Sequence, residues 1–115
     1  MATLTFDLIG GDSLDNEVAT ITMNGETVTL ARGLYNGTRT FVSPDVPGIS
    51  VSTEVLSEGT NLGGASPSSW RDSVTQVTIT VDNPGSELTL GVTSGANQPG
   101  YDEFFGIDNV DIQAQ

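Results

Sequence analysis

The feature that most constrains this chain is an apolar period of two that recurs along most of its length. Leu4, Phe6 and Leu8 alternate with Thr3, Thr5 and Asp7, and Ala19, Ile21 and Met23 alternate with Thr20 and Thr22. Val28 and Leu30 alternate with Thr27 and Thr29, and Ile49, Val51, Thr53 and Val55 form a further run. Val77, Ile79 and Val81 follow, then Leu88, Leu90 and Val92. Side chains on a strand point alternately to its two faces, so each run describes a strand with one face in a core and one in water. No apolar stripe of helical period persists. With 14 Gly, five Pro and abundant Thr, Ser and Val, local preference opposes helix as well.

Turn chemistry punctuates these runs. Asn24-Gly25 is a two-residue hairpin signal, because both positions of that turn require positive φ. Asp82-Asn83-Pro84-Gly85 is a second turn. In the last strand Phe105 and Ile107 lose phase with Val110 and Ile112, and a bulge at Asp108-Asn109 repairs it. Between Gly33 and Gly48 only Thr40 to Val42 reads as a strand, and Ser57 to Ser69 reads as loop. Seven or eight strands in 115 residues give a single domain over residues 1–115. The expected fold is all-β, an antiparallel two-sheet β-sandwich, with a jelly roll as its form.

Charge decides which partners are excluded. Three arginines (Arg32, Arg39 and Arg71), no lysine and 15 acidic residues give a net charge of -12. Nucleic acids and anionic membrane surfaces require cationic patches, so neither is an expected partner. No stretch reaches transmembrane length, so membrane insertion is not expected. Met1-Ala2 runs directly into an expected strand, so a leader is not expected within this sequence. A domain cut from a longer protein, or an export signal elsewhere, is the expectation. There is no cysteine, so a small extracellular domain of this kind has no disulfide to support it. A bound divalent cation would substitute and would neutralise charge. Carboxylates scattered over a halophilic or marine surface are the competing reading.

Two acidic clusters stand out in expected loops: Asp12-Ser13-Leu14-Asp15-Asn16-Glu17, and Asp102-Glu103 with Asp108 at the bulge. Calcium takes six to eight oxygen ligands at flexible geometry, which Asp, Glu, Asn and backbone carbonyls supply. Histidine and cysteine are absent, which disfavours zinc, copper and haem. The first and last strands of a sandwich lie close together, which would bring Asp12 or Glu17 near Asp102 and Asp108. The spacing is not that of an EF-hand.

Catalysis is not expected. The carboxylates sit in polar turns rather than in the apolar pocket that raises a catalytic pKa. No histidine, lysine or cysteine is present to act as base or nucleophile. A glycoside hydrolase using Glu17 with Asp102-Glu103 is the distant alternative. Binding is the nearer one. Sugars stack on aromatic side chains beside polar groups, and Tyr35, Trp70 and Tyr101 lie at loop edges. For Trp70 the favoured expectation is that it covers the end of the sandwich, its indole N–H finding a carbonyl.

Three segments carry a resemblance. They are Thr5-Phe6-Asp7-Leu8-Ile9 with Asp12 to Glu17 and Met23-Asn24-Gly25; Gln76 to Pro84 with Leu88-Thr89-Leu90-Gly91; and Asp102 to Ile112. Together they resemble a calcium-binding jelly-roll module of bacterial secreted proteins, including RTX-type proteins and adhesins. In plan the chain is similar to calcium-dependent carbohydrate-binding modules and to MAM-like or reelin-like sandwiches. The resemblance does not cover Gly33 to Ser69, and Leu14 stands where that pattern often has Trp. It implies a calcium held by Asp12, Glu17, Asp102 and Asp108, with Asp15 and Glu103 as second choices. It also implies an extracellular or cell-surface location, neighbouring domains in a longer protein, and carbohydrate binding or adhesion, with polysaccharide or cell-surface glycan as partner. A structural spacer or assembly domain rigidified by calcium is the alternative.

Overall fold

In the computed structural model the turn at Asn24-Gly25 has positive φ at both positions, 53° and 83°, as a two-residue hairpin requires. The structure describes residues 1–12, 15–34, 39–60, 72–95 and 103–114. Their ordered elements are eight strands: β1 (Ala2–Asp12), β2 (Asp15–Met23), β3 (Glu26–Leu34), β4 (Arg39–Val42), β5 (Ile49–Thr60), β6 (Asp72–Val81), β7 (Leu90–Thr93) and β8 (Glu103–Ala114). Two antiparallel four-stranded sheets form, ordered β5-β6-β1-β8 (sheet A) and β4-β3-β2-β7 (sheet B), and they pack as a β-sandwich.

The alternation seen in the sequence sets the core. Leu4, Phe6 and Leu8 of β1 meet Val77, Ile79 and Val81 of β6 on the inner face of sheet A. Ala19, Ile21 and Met23 of β2 and Val28 and Ala31 of β3 close the core from sheet B. Phe6, Ile21, Met23 and Ile79 are the largest side chains sealed from solvent, each contributing about 1.5–3 kcal/mol through burial.

Several expectations change at strand ends and bulges. β1 continues through Gly10 and Gly11, so Asp12 ends a strand, and Asp15 and Glu17 lie in β2. The first acidic cluster is therefore mostly strand, with only residues 13–14 between β1 and β2. β5 extends to Thr60, so residues 57–60 are strand where the sequence reads as loop. A register shift between Ile21 and Thr22 reverses the phase of β3. Thr29 is buried as a result, while Leu30 turns to the outer face. The Thr29 hydroxyl donates to the Val42 carbonyl (3.3 Å) and accepts from Ser43 Oγ (3.0 Å), which satisfies it inside. Leu90 to Thr93 returns from the turn at Asp82 to Gly85, but it crosses to pair with β2 rather than with β6. The hairpin tip anchors that crossing: Asn24 N–H donates to Thr89 O and Thr89 N–H donates to Asn24 Oδ1, both at 2.8 Å.

Candidate functional site

All the strands alternate in direction, so the register fixes which connections share an end of the sandwich. In sheet A, Asp12 of β1 pairs with Glu103 of β8, and Gly10 pairs with Ser73 near the start of β6. Ser73 in turn pairs with Glu58 near the end of β5. In sheet B, Asp15 pairs with Leu34, and Gly33 pairs with Arg39 at the start of β4. The two sheets meet at this end because the Arg39 guanidinium lies against Gly10. The strand ends that flank residues 13–14, 35–38 and 61–71, and the start of β8, therefore lie at the same end, here called the loop end. The hairpin at 24–25, the segment 43–48 and the turn segment 82–89 leave the opposite end, where Ala2 pairs with both Val81 and Ala114.

Among the described residues, Asp12, Asp15, Glu17 and Glu103 of those singled out from the sequence lie towards this end. Asp12 and Glu103 are directly opposite one another on neighbouring strands. Asp15 opens β2, and Glu17 is half-buried where β2 shifts register against β3 between Asp15 and Val18. Asp102, Tyr35, Trp70 and Tyr101 lie outside the described residues.

Asp108 is placed elsewhere. It pairs with Asp7, five positions along β1 from Asp12. At about 3.3 Å per residue that is roughly 17 Å, too far for one ion to be shared with Asp12 and Glu103. The bulge itself forms as the phase slip requires. Thr5 pairs with Asp111 and Asp7 with Asp108, so Phe6 faces two residues, and Asn109 takes a φ of 54°. The bulge aims its polar groups at the outer face of sheet A. There Asn109 Nδ2 donates to Asp7 Oδ2 and Asn109 N–H donates to Asp108 Oδ1, each at 2.8 Å. Among the described residues no group of three or more carboxylates is positioned to hold a metal ion.

One residue of consequence escaped the sequence reading. Arg39 is 8 % exposed and points between the sheets, on the same face of β4 as Phe41. Gly10 makes room for it: a Cβ there would stand 2.8 Å from Nη2 and 2.9 Å from Cζ of Arg39. Ser73 and Thr75 are buried on the inner face of β6 at this end, and neither hydroxyl has a hydrogen-bond partner. The interior of the sandwich is thus apolar through its middle and polar towards the loop end, with a guanidinium inside it. Strict alternation from Phe41 back to Arg39 was the available signal, and the spacing of Gly10-Gly11 after Leu8 was its counterpart.

Two surface hollows lie outside the interior of the sandwich. One, of about 260 Å³, is on the outer face of sheet B between Val18, Leu30, Arg32, Thr40 and Val42. The other, of about 320 Å³, lies between Ile112 and Ala114 of β8 and the segment Pro84 to Leu88. Neither holds a pair of carboxylates flanking a cleft. No protein-family model matches this chain, and no curated protein or solved structure matches it either.

Proposed function

We propose that this domain is a non-catalytic, calcium-binding module of an extracellular protein, with its loop end carrying the metal and a carbohydrate-binding or adhesive surface. The observation that supports this most is the register. It sets Asp12 against Glu103 and brings Asp15 and Glu17 to the same end. In a chain of net charge -12, acidic residues brought by the backbone to one end would be held more readily with a divalent cation bound. Asp12, Glu103, Glu17 and Asp15 are the ligand candidates in this reading, joined by Asp102. Asp108 is not among them. Tyr35, Trp70 and Tyr101 are the sugar-stacking residues in this reading, on residue type alone.

Thermal melts in calcium, in magnesium and in chelator test the metal. A ligand that binds only the folded state at a hundredfold excess over Kd adds about 2.7 kcal/mol. For a domain of this size that is a rise on the order of 10 °C. Asp12→Asn and Glu103→Gln should remove most of the rise, while Asp108→Asn and Asp82→Asn should preserve it. Coincident wild-type curves in the three buffers would sink the proposal and leave the solvated-surface reading. A glycan array in calcium buffer then separates a binding module from a spacer.

A further inference from the structure

The two sheets are edged very differently. Sheet B ends in β4 and β7, four residues each, whereas sheet A ends in β5 and β8, twelve residues each. Short edges of sheet B leave the inner faces of β5 and β8 only partly covered: Ile49, Val51 and Phe105 pack against the core, and the aliphatic side chains further along are open. Ile112 faces inward opposite the buried Leu4, yet it is 56 % exposed. Val55 faces inward opposite Thr75 and is 52 % exposed. Leu56, Ile107 and Val110 are similarly open. Among the described residues no strand pairs with the outer edge of either β5 or β8. Among the described residues, and apart from the Val46–Ile49 bridge at the start of β5, each edge therefore presents backbone donors and acceptors with no strand beside them, next to solvent-exposed aliphatic side chains, the combination that accepts another strand.

We propose that the occupant is a second copy of this chain, with β8 of one molecule pairing with β5 of the next. Three features favour it. The two edges are equal in length. They run antiparallel when copies are set side by side in the same orientation, since sheet A already alternates from β5 to β8. Their in–out phases also agree. Val51 opposite Ile112 and Val55 opposite Ile107 keeps aliphatic residues inward, and the bulge at Asn109 and Val110 absorbs the one-residue difference.

Charge argues against the other symmetric choice. Pairing β8 with β8 about a two-fold axis at Asn109 and Val110 sets Asp108 against Asp111 twice, and like charges directly opposite are destabilising. In the β8-to-β5 arrangement Asp111 faces Ser52, and only Asp108 meets an acid, Glu54. That one pair, together with the net charge, makes the association dependent on salt. Strands of twelve residues give a contact about 40 Å long. With a thickness of about 10 Å it buries on the order of 800 Å² in total, below the size of a standard stable interface. The assembly is accordingly weak and open-ended, because the contact is heterologous. It sets every loop end on the same side, so weak sites for a repeating polymer would act together.

Sedimentation velocity with two blocked variants tests this. Val55→Lys disables the β5 edge and Ile112→Lys the β8 edge, both at exposed positions outside the core. In about 0.15 M salt the wild type should grow in mass up to about 1 mM, and more so as salt is raised. Each variant alone should remain monomeric, and an equal mixture should stop at dimers. Glu54→Lys, an exposed change with no cost to folding, should strengthen assembly by facing Asp108. A monomeric wild type throughout, a dimer of Val55→Lys alone, an inert mixture or unchanged assembly of Glu54→Lys would each overturn the proposal.

Discussion

Gly10→Ala is the sharpest test of how the interior at the loop end is built. At an open strand position this substitution reduces the freedom of the unfolded chain and stabilises by about 0.5–1 kcal/mol. Gly106 in β8 is such a position, with nothing within 4 Å of the point a Cβ would occupy, so Gly106→Ala should be neutral or slightly stabilising. At Gly10 the added methyl meets three atoms of the Arg39 guanidinium, which has little room to retreat because Arg39 is almost entirely buried. Overpacking of this kind costs about 1–3 kcal/mol. The difference between the two variants should thus be roughly 2 kcal/mol or more, or about 8 °C in melting temperature for a domain near this size. The three nearest atoms all belong to the guanidinium, so Arg39→Met should relieve the clash. In the double variant Gly10→Ala, Arg39→Met the cost of the alanine should fall by at least about 1 kcal/mol, measured as a coupling energy from urea melts of all four proteins. Additive penalties, or a Gly10→Ala protein as stable as Gly106→Ala, would refute the placement of Arg39 between the sheets.

Other outcomes follow from single contacts. Gly95→Ala sets a Cβ against the Val18 carbonyl, a backbone group that cannot swing away. It should cost more than Gly10→Ala by differential scanning calorimetry. Asn24→Ala removes a residue suited to positive φ and the acceptor for Thr89 N–H, and should lose about 1–2 kcal/mol in a chemical melt. Thr29→Val deletes a buried hydroxyl that bridges Val42 and Ser43 and should destabilise by about 1 kcal/mol despite its near-identical shape. Asn109→Ala withdraws the amide that donates to Asp7 and leaves an αL position without its preferred residue. It should lower the melting temperature by a few degrees without altering any calcium response.

The middle of each strand could be read from the sequence because burial there is decided by alternation alone. Phe6, Ile21, Val77 and Ile79 had no other place to go, and Asn24-Gly25 and the bulge near Asp108 had backbone demands that few residues meet. Strand ends were harder, since a pair such as Gly10-Gly11 carries no apolar signal and looks like a turn. The phase of β3 was missed because the shift beside Ile21 leaves no mark in residue type, so Thr29 and Leu30 exchanged faces. For the site, the closeness of first and last strands in a sandwich, and the resemblance, bring Asp102 and Asp108 to Asp12 or Glu17 with Glu103 as a second choice, whereas pairing register, a long-range property, sets Glu103 opposite Asp12 and Asp108 opposite Asp7. Arg39 was read as bulk charge because a buried cation is rare enough that composition gives it no weight.

The pairing of Ala2 with Ala114 has a mechanical consequence. Both outer ends of β1 and β8 leave the sandwich together, at the end away from Asp12 and Glu103. A pulling force applied through them does not shear the two strands past one another. It peels them apart, breaking the hydrogen bonds in succession from Ala2 and Ala114 towards Asp12 and Glu103, so each bond bears the load alone. A tether attached at those two points would open this sandwich at low force, with the Asp12–Glu103 pairing the last of that ladder to part.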